Sequence, residues 1–412
     1  MRVLYLTGIQ FYTFLIRIAS VFNTKAGLWL KGRKDIFTKI RSSIEKDTPL
    51  VWFHASSLGE FEQGRPVMEF IREKYPELKI LLTFYSPSGY EIRKNYSGAD
   101  YIFYLPVDSP ANARKFLDLI NPVAVYFIKY EFWYFYLREL NRREVPVYLI
   151  SAIFRPGQVF FKWYGSWYRK VLEFFNHLFV QTLASGELLK KIGIENVTIA
   201  GDTRFDRVFA IAGTAKSLPE IEPFIGGQSI IVAGSTWPPD EKLLAGWINN
   251  AQDEVKMIIA PHEVHEENII RLMGLFDCQV VRYSALTPEK LVEAKVLVID
   301  NIGMLSSLYK YGNIAYIGGG FGKGIHNILE PATFGMPVIF GPNYQKFREA
   351  VELIDLRGGF SISTYAELKE LLDSFMINKS LLAVASKISK EYVKSNVGAT
   401  KVIVNSTINN SI

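Results

Sequence analysis

Three short stretches of the 412-residue chain carry residue types whose spacing can do chemistry. The first is residues 314–342, IAYIGGGFGKGIHNILEPATFGMPVIFGP. An apolar run at 314–317 enters a turn containing Gly318, Gly319, Gly320, Gly322 and Gly324, and a helix is expected to open near His326. A strand passing through glycines into a helix start offers backbone N–H groups and the positive end of a helix dipole, which suit an anion such as phosphate. The same glycines also suit a tight strand-to-helix turn without any ligand. His326, Asn327 and Glu330 come directly after. Glu330 falls one helical turn after His326 or Asn327, so it can face the same crevice, and its neighbour Pro331 fits only a first turn.

The second stretch is WFHASSLGEFEQGRP, residues 52–66. A strand ends at Ala55, small residues at 56–59 form a loop, and Glu60 stands in the first turn of the next helix. The helix dipole favours a carboxylate there, and partial desolvation would fit it for general-base work. A helix-start glutamate with no further task is the competing reading. The third is IKYEFWYF, residues 128–135, with Glu131 just past a strand and expected to point into the same cleft as Glu60; it too can be a cap.

Other chemistries are disfavoured. The glycine run lacks the G-x-G-x-x-G and G-K-[ST] spacings of dinucleotide and P-loop sites. In PHEVHEEN, residues 261–268, His262 and His265 are spaced i, i+3, one residue short of the zinc-protease helix, so no metal is expected. Neither Asp-x-Asp nor G-x-S-x-G occurs, which argues against a diphosphate-bound divalent ion and an α/β hydrolase.

The elements that position these stretches follow from the apolar pattern. Strands are expected at 50–55, 80–84, 101–105, 123–128, 147–150, 178–181 and 197–200. After a Gly- and Pro-rich run at 213–228 they resume at 230–233, 257–260, 279–281, 296–299, 314–317 and 338–340. Continuous apolar strands alternating with helical segments indicate parallel sheets covered on both faces. The expectation is α/β: two doubly wound, Rossmann-like domains joined by a linker and facing across a cleft at the carboxyl ends of their strands. Residues 368–405 read as plain helix.

Residues 4–22 are strongly apolar, broken by Gln10 and Arg17, and lead into Lys25, Lys31, Arg33, Lys34, Lys39 and Arg41. A spanning helix, an in-plane membrane anchor and a core helix all remain open, and the basic flank puts the rest of the chain on the cytoplasmic side. Residues 160–175, FFKWYGSWYRKVLEFF, mix aromatic and basic side chains, suiting a membrane interface, an acyl chain or a buried helix. The charge of +6 is mild, and no basic tract is interleaved with stacking aromatics, so nucleic acid is not an expected partner. A single cysteine, Cys278, excludes an internal disulfide and fits a reducing compartment.

Taken together, FHASSLGE (53–60), TFYSPSGYE (83–91), YLPVD (104–108), YEFW (130–133), GDTRFD (201–206), VAGSTWPPDE (232–241), IIAPHEVH (258–265) and IGGGFGKGIHNILEPATFGMPVIFGP (317–342) resemble, in order and over nearly the whole chain, the 3-deoxy-D-manno-octulosonic acid (Kdo) transferases of lipopolysaccharide assembly. The resemblance implies a GT-B glycosyltransferase at the cytoplasmic face of the inner membrane, moving Kdo from CMP-Kdo to a lipid A precursor with inversion and with no metal or cofactor. It implies Glu60 as general base and Glu131, Ser57 and Gly59 on the acceptor side. On the donor side it implies Ser235, Thr236, His262, Gly319, Gly320, Gly322, Lys323, His326, Asn327 and Glu330, with Glu330 on the ribose hydroxyls. The implied domains are a membrane-associating segment 1–35, an acceptor domain 36–212, a linker 213–228 and a donor domain 229–412.

Departures from the family pattern touch detail. Pro261-His262-Glu263 stands for Pro-Arg-His, which leaves Lys323 as a candidate cation for the donor phosphate. Lys129-Tyr130-Glu131 stands for Glu-Thr-Glu, and Ser151-Ala152-Ile153 for Asn-Ala-Arg. The alternatives are a GT-B enzyme using a UDP-sugar and a lipid-linked acceptor, and a non-catalytic membrane adaptor on the same scaffold.

Overall fold

The structure is a computed structural model that describes residues 1–45, 48–251 and 254–407. The chain divides into two compact units, Met1–Asp206 with the helix Ala399–Thr407, and Arg207–Val397.

In the first unit seven strands run β1 (Leu50–Ala55), β2 (Lys79–Phe84), β3 (Tyr101–Tyr104), β4 (Ala124–Ile128), β5 (Val147–Ala152), β6 (His177–Val180) and β7 (Val197–Ile199). They pair in parallel in the order β3-β2-β1-β4-β5-β6-β7, the doubly wound pattern with its switch point between β1 and β4. Helices cover both faces, so β1, β4 and β5 are buried along their whole length, as their unbroken apolar runs require.

The second unit repeats the scheme with β8 (Ser229–Thr236), β9 (Val255–Pro261), β10 (Val280–Arg282), β11 (Val296–Val298), β12 (Ile314–Ile317), β13 (Val338–Phe340) and β14 (Gly359–Ser361), ordered β10-β11-β9-β8-β12-β13-β14. Its switch point lies between β8 and β12. All thirteen expected strands are present; β14, a Gly-Phe-Ser triplet without an apolar run, was not expected.

The boundaries differ from the expected 36–212, 213–228 and 229–412. Residues 213–228 are not a free linker, because Ile221 and Phe224 are fully buried in the second unit and Leu218 N–H donates to the Tyr311 hydroxyl at 2.6 Å. The terminal helix returns to the first unit. Ile403 and Val404 pack with Phe53 and Ile128, the Tyr126 and Thr407 hydroxyls meet at 2.6 Å, and Asp206 accepts from Gly398 N–H and Thr400 N–H at 2.6 and 2.7 Å.

The segment 1–35 also divides. The helix Arg2–Ala19 has no buried residue, whereas the helix Thr24–Arg33 is docked through Trp29. Arg33 leaves the basic flank entirely. It donates to Leu105 O and Tyr85 O at 2.9 and 2.8 Å and lies over the Trp29 ring at 3.8 Å; burial lowers its pKa to about 10. No helix among the described residues is long and apolar enough to cross a membrane.

Candidate active site

In the first unit the segments that follow β1 and β4 flank the switch point and carry Glu60 and Glu131. Glu60 is the third residue of the helix Leu58–Lys74, which Ser57 caps. Its Oε2 accepts from both Ser57 N–H and Ser57 Oγ–H at 2.8 Å, a capping-box contact. Its Oε1 has no protein partner among the described residues. Burial raises the Glu60 pKa above the ordinary carboxylate value, the Glu131 charge adds to this, and the Ser57 donors and Lys129 oppose it. Gly59 is exposed with ordinary helical φ, and a Cβ there would meet nothing within 4 Å.

Glu131, only 4 % exposed, has the same division of labour between its oxygens. Oε2 lies 3.0 Å from His54 Nε2 and accepts from Trp133 Nε1–H at 2.6 Å, while Oε1 has no protein partner among the described residues. Trp133 is the N-cap of the helix Tyr134–Arg142 but supplies no side-chain cap. Asp108, from YLPVD, does so instead, accepting from Phe135 N–H and Tyr136 N–H at 3.1 and 3.2 Å, and so fixes where the Glu131 loop ends. Lys129, between β4 and Glu131, sits in the left-handed region at φ 70°, a strained backbone of the kind that gathers at functional sites.

Beside this loop Tyr5, Tyr130, Phe132, Phe160, Trp167 and Val171 help line an apolar cavity of about 300 Å³. The aromatic segment 160–175 therefore divides: Phe160, Val171, Leu172 and Phe175 are buried, whereas Trp163 is 90 % exposed. Tyr5 also docks the N-terminal helix, its hydroxyl donating to Asp108 Oδ2 at 2.7 Å and its ring 5.8 Å from those of Phe135 and Trp167.

In the second unit the loops after β8 and β12 flank the other switch point. The turn needs its glycines for backbone reasons: Gly319 has φ 93°, and a Cβ on Gly320 would lie 2.6 Å from Gly341 N and Cα. Fewer amides are open than the run suggests. Gly318 N–H donates to Gly234 O, Gly322 N–H and Gly324 N–H both donate to Gly319 O, and Gly319 N–H donates to the buried Asp240 carboxylate at 3.0 Å. The Gly320, Phe321 and Lys323 N–H groups have no partner among the described residues.

The expected helix from His326 is also shorter. His326 N–H donates to Gly318 O, which keeps that residue in the turn, and the helix spans Leu329–Thr333. Two side-chain groups result. His326 accepts from Trp237 Nε1–H at 3.1 Å and stacks on His262 at 4.7 Å, which in turn stacks on Trp237 at 4.6 Å. Burial and His262 lower the His326 pKa, so a neutral imidazole keeps Nδ1–H free to donate. Asn327 Nδ2–H donates to Glu330 Oε1 at 2.9 Å, and burial raises the Glu330 pKa against the pull of Asn327 and Arg207.

Ser235, near the end of β8, sits in the left-handed region at φ 53°. Thr236 is buried, its hydroxyl spent on Glu241 Oε1 at 3.2 Å, and Lys323 is exposed. His265 is not paired with His262 but caps the helix Glu266–Met273, its Nδ1 accepting from Asn268 N–H at 3.3 Å.

Sequence reasoning missed His54, Trp133, Trp237 and Asp240. The signal for His54 was a polar residue in the otherwise apolar strand LVWFHA, and for Asp240 an acidic first-turn residue after TWPP.

A family model described as 3-deoxy-D-manno-octulosonic-acid transferase (kdotransferase) matches residues 31–207. A 3-deoxy-D-manno-octulosonic acid transferase of Aquifex aeolicus is 28% identical over 355 residues, 84% of this chain and 92% of the relative. A probable mitochondrial 3-deoxy-D-manno-octulosonic acid transferase of Arabidopsis thaliana is 26% identical over 378 residues, 86% and 83% of the two chains. Among solved structures, UDP-GlcNAc 2-epimerase from Neisseria meningitidis bound to UDP-GlcNAc superposes with TM-score 0.62 at 17% identity, covering 87% of this chain and all of that one, a likeness of fold. Collinear motifs, the family match over residues 31–207 and two doubly wound units agree: the chain is a GT-B glycosyltransferase, similar to Kdo transferases over most of its length.

Proposed function

We propose that this transferase moves Kdo from CMP-Kdo to a lipid A precursor, with inversion and without a metal, on the cytoplasmic surface of the inner membrane. The observation that carries the reading is the pair Glu60 and Glu131. Each has one oxygen held by protein donors and one without a partner among the described residues, at the switch point of a sheet in a chain similar to Kdo transferases. In this reading Glu60 Oε1 takes the proton of the acceptor hydroxyl as the oxygen attacks the anomeric carbon, while Glu131 Oε1 orients the acceptor. Gly59 leaves room for that sugar, and Ser57 holds the base in place.

CMP leaves with a single phosphate. The open amides of Gly320, Phe321 and Lys323, the Nδ1–H of His326 and the Lys323 ammonium can offset its charge. Glu330, fixed by Asn327, would accept from ribose hydroxyls. An amphiphilic acceptor is favoured by the apolar cavity lined by Tyr130 and Phe132, which flank Glu131 in the chain. A membrane surface is favoured by the N-terminal helix, whose Val3, Leu4, Phe11, Phe14, Leu15 and Ile18 are exposed and occupy an arc of about 120° on a different side from the docked Tyr5.

Purified protein incubated with CMP-Kdo and a tetra-acylated, bisphosphorylated disaccharide should release CMP and add the mass of one or more Kdo residues to the lipid. Glu60→Gln, which retains a capping oxygen, should fold normally and lose about 10²-fold or more in kcat. No mass gain, or release of UDP from a UDP-sugar instead, would overturn the donor assignment.

A further inference from the structure

His54 is fully buried in the middle of the active-site sheet, in a strand whose other residues are apolar. Isolated, it would be a costly choice for a core position. Its two ring nitrogens are both engaged: Nδ1 lies 2.8 Å from Thr83 Oγ1 and 3.1 Å from Thr83 O, and Nε2 lies 3.0 Å from Glu131 Oε2.

The donors order themselves along this line. Trp52 Nε1–H can only donate, and it meets Thr83 Oγ1 at 2.8 Å. With that lone pair taken, the Thr83 hydroxyl proton is directed at His54 Nδ1, the nearer of its two acceptors, since Phe53 O lies 3.4 Å away. Trp133 Nε1–H lies 3.0 Å from His54 Nε2 and 2.6 Å from Glu131 Oε2, so its proton goes to the nearer carboxylate; with Nδ1 unprotonated, the ring proton sits on Nε2 and is aimed at the same Oε2. Two N–H donors on one oxygen suit a carboxylate, and a chain of aligned hydrogen bonds in a buried setting strengthens each member.

We propose that His54 is a positioning residue for glycosyl transfer: the Trp52–Thr83–His54 relay fixes the Glu131 carboxylate with Oε1 open to the acceptor and its charge bearing on Glu60. The assignment rests on the acceptor-side roles of Glu60 and Glu131 proposed above. The groups that bear on the pair are Ser57, Lys129 and Tyr130 at Glu60, and His54, Trp133 and Tyr85 at Glu131; burial and Glu131 raise the Glu60 pKa, Ser57 and Lys129 lower it.

The test is steady-state kinetics of the full chain with CMP-Kdo and the disaccharide acceptor between pH 5 and 9. His54→Ala should move the acid limb of the rate profile to lower pH, because Glu131 no longer holds its charge in place beside Glu60. It should also raise the acceptor KM while leaving the CMP-Kdo KM unchanged. Glu131→Gln should do the same, and the double variant should add nothing further. His54→Gln, whose amide N–H can replace Nε2–H, should restore the limb.

If His54→Ala does not fold, Thr83→Val, which removes only the hydroxyl, should shift the limb and the acceptor KM in the same directions. A loss of rate with the limb and acceptor KM unmoved, or effects additive with Glu131→Gln, would overturn the proposal. Glu60→Gln run alongside separates the two readings. Full activity there sinks the base assignment, and the acceptor KM values of His54→Ala, Glu131→Gln and their double still decide the role of His54.

Discussion

Glu60 and Glu131 hold their carboxylates in the same manner, Oε2 fixed by two donors and Oε1 without a partner among the described residues, although one is fixed by a helix cap and the other by an imidazole and an indole. Burial and the like charge of Glu131 push the Glu60 pKa up, and Ser57 and Lys129 pull it down, so its neighbours can be separated by the sign of their effects. A general base works deprotonated, so the rate falls as pH drops through its pKa.

The first prediction is a pair of opposite shifts. Ser57→Ala deletes a donor to the ionised form, so the acid limb should move to higher pH; Lys129→Met should move it the same way. Glu131→Gln should move it to lower pH. Shifts of one common sign in all three rate profiles would remove Glu60 as the titrating group.

The second prediction separates what the fold requires of glycine from what a ligand requires. Gly59 and Gly322 have φ values open to any residue, and a Cβ would meet nothing within 4 Å at Gly59 and only Gly319 O at 3.6 Å at Gly322. Gly59→Ala should leave thermal stability unchanged or raise it by about 0.5–1 kcal/mol, through helix propensity, while reducing acceptor turnover. Gly322→Ala should fold normally and weaken CMP binding. Gly320→Ala should destabilise the second unit, since its Cβ collides with Gly341 backbone. Unchanged acceptor turnover in Gly59→Ala, or unchanged calorimetric CMP affinity in Gly322→Ala, would remove that glycine from the site.

Much of this was legible in sequence because fully buried parallel strands leave continuous apolar runs, such as 50–55 and 314–317, whereas β14 left none. Contacts distant in sequence were not legible. Glycine and proline at 213–228 marked turns but said nothing of the burial of Ile221 and Phe224. Arg33 read as part of a basic surface because the rings of Tyr85 and Tyr104 that enclose it come from far along the chain. The glycine run indicated an anion nest, but which amides stay open depends on Asp240, whose side chain reaches Gly319 from the first turn of the helix Pro238–Ile248. Glu60 and Glu131 were visible as carboxylates after strands, yet His54, which ties Glu131 to Thr83, was visible only as an oddity within β1.

A third prediction concerns the N-terminal helix. Its exposed apolar arc lies on a different side from Tyr5, through which the helix docks, so Phe11→Asp with Phe14→Asp should leave the fold and the turnover of a detergent-dispersed acceptor intact. Sedimentation with phospholipid vesicles should fall more than tenfold, since each buried Phe contributes roughly 1.5–3 kcal/mol. Vesicle binding equal to that of the unmodified protein would show that this arc is not what meets lipid.

The fourth prediction comes from Asp108, which caps the helix after Glu131 and holds Tyr5. Burial raises its pKa to about 6 from the ordinary 3.8, against the pull of the Tyr5 hydroxyl and the Phe135 and Tyr136 amides. The folded state therefore holds the Asp108 proton more tightly than the unfolded chain does. The stability this contributes is full below about pH 4 and is lost as pH rises through about 6, roughly 3 kcal/mol over the window. Urea unfolding between pH 4 and 7 should show this downward component in the unmodified protein and lack it in Asp108→Asn. Tyr5→Phe removes a donor that favours the ionised form, so the window should extend to higher pH, with the larger loss of stability at pH 8 than at pH 5. Parallel pH profiles for the unmodified protein and Asp108→Asn would mean that Asp108 does not titrate in this range.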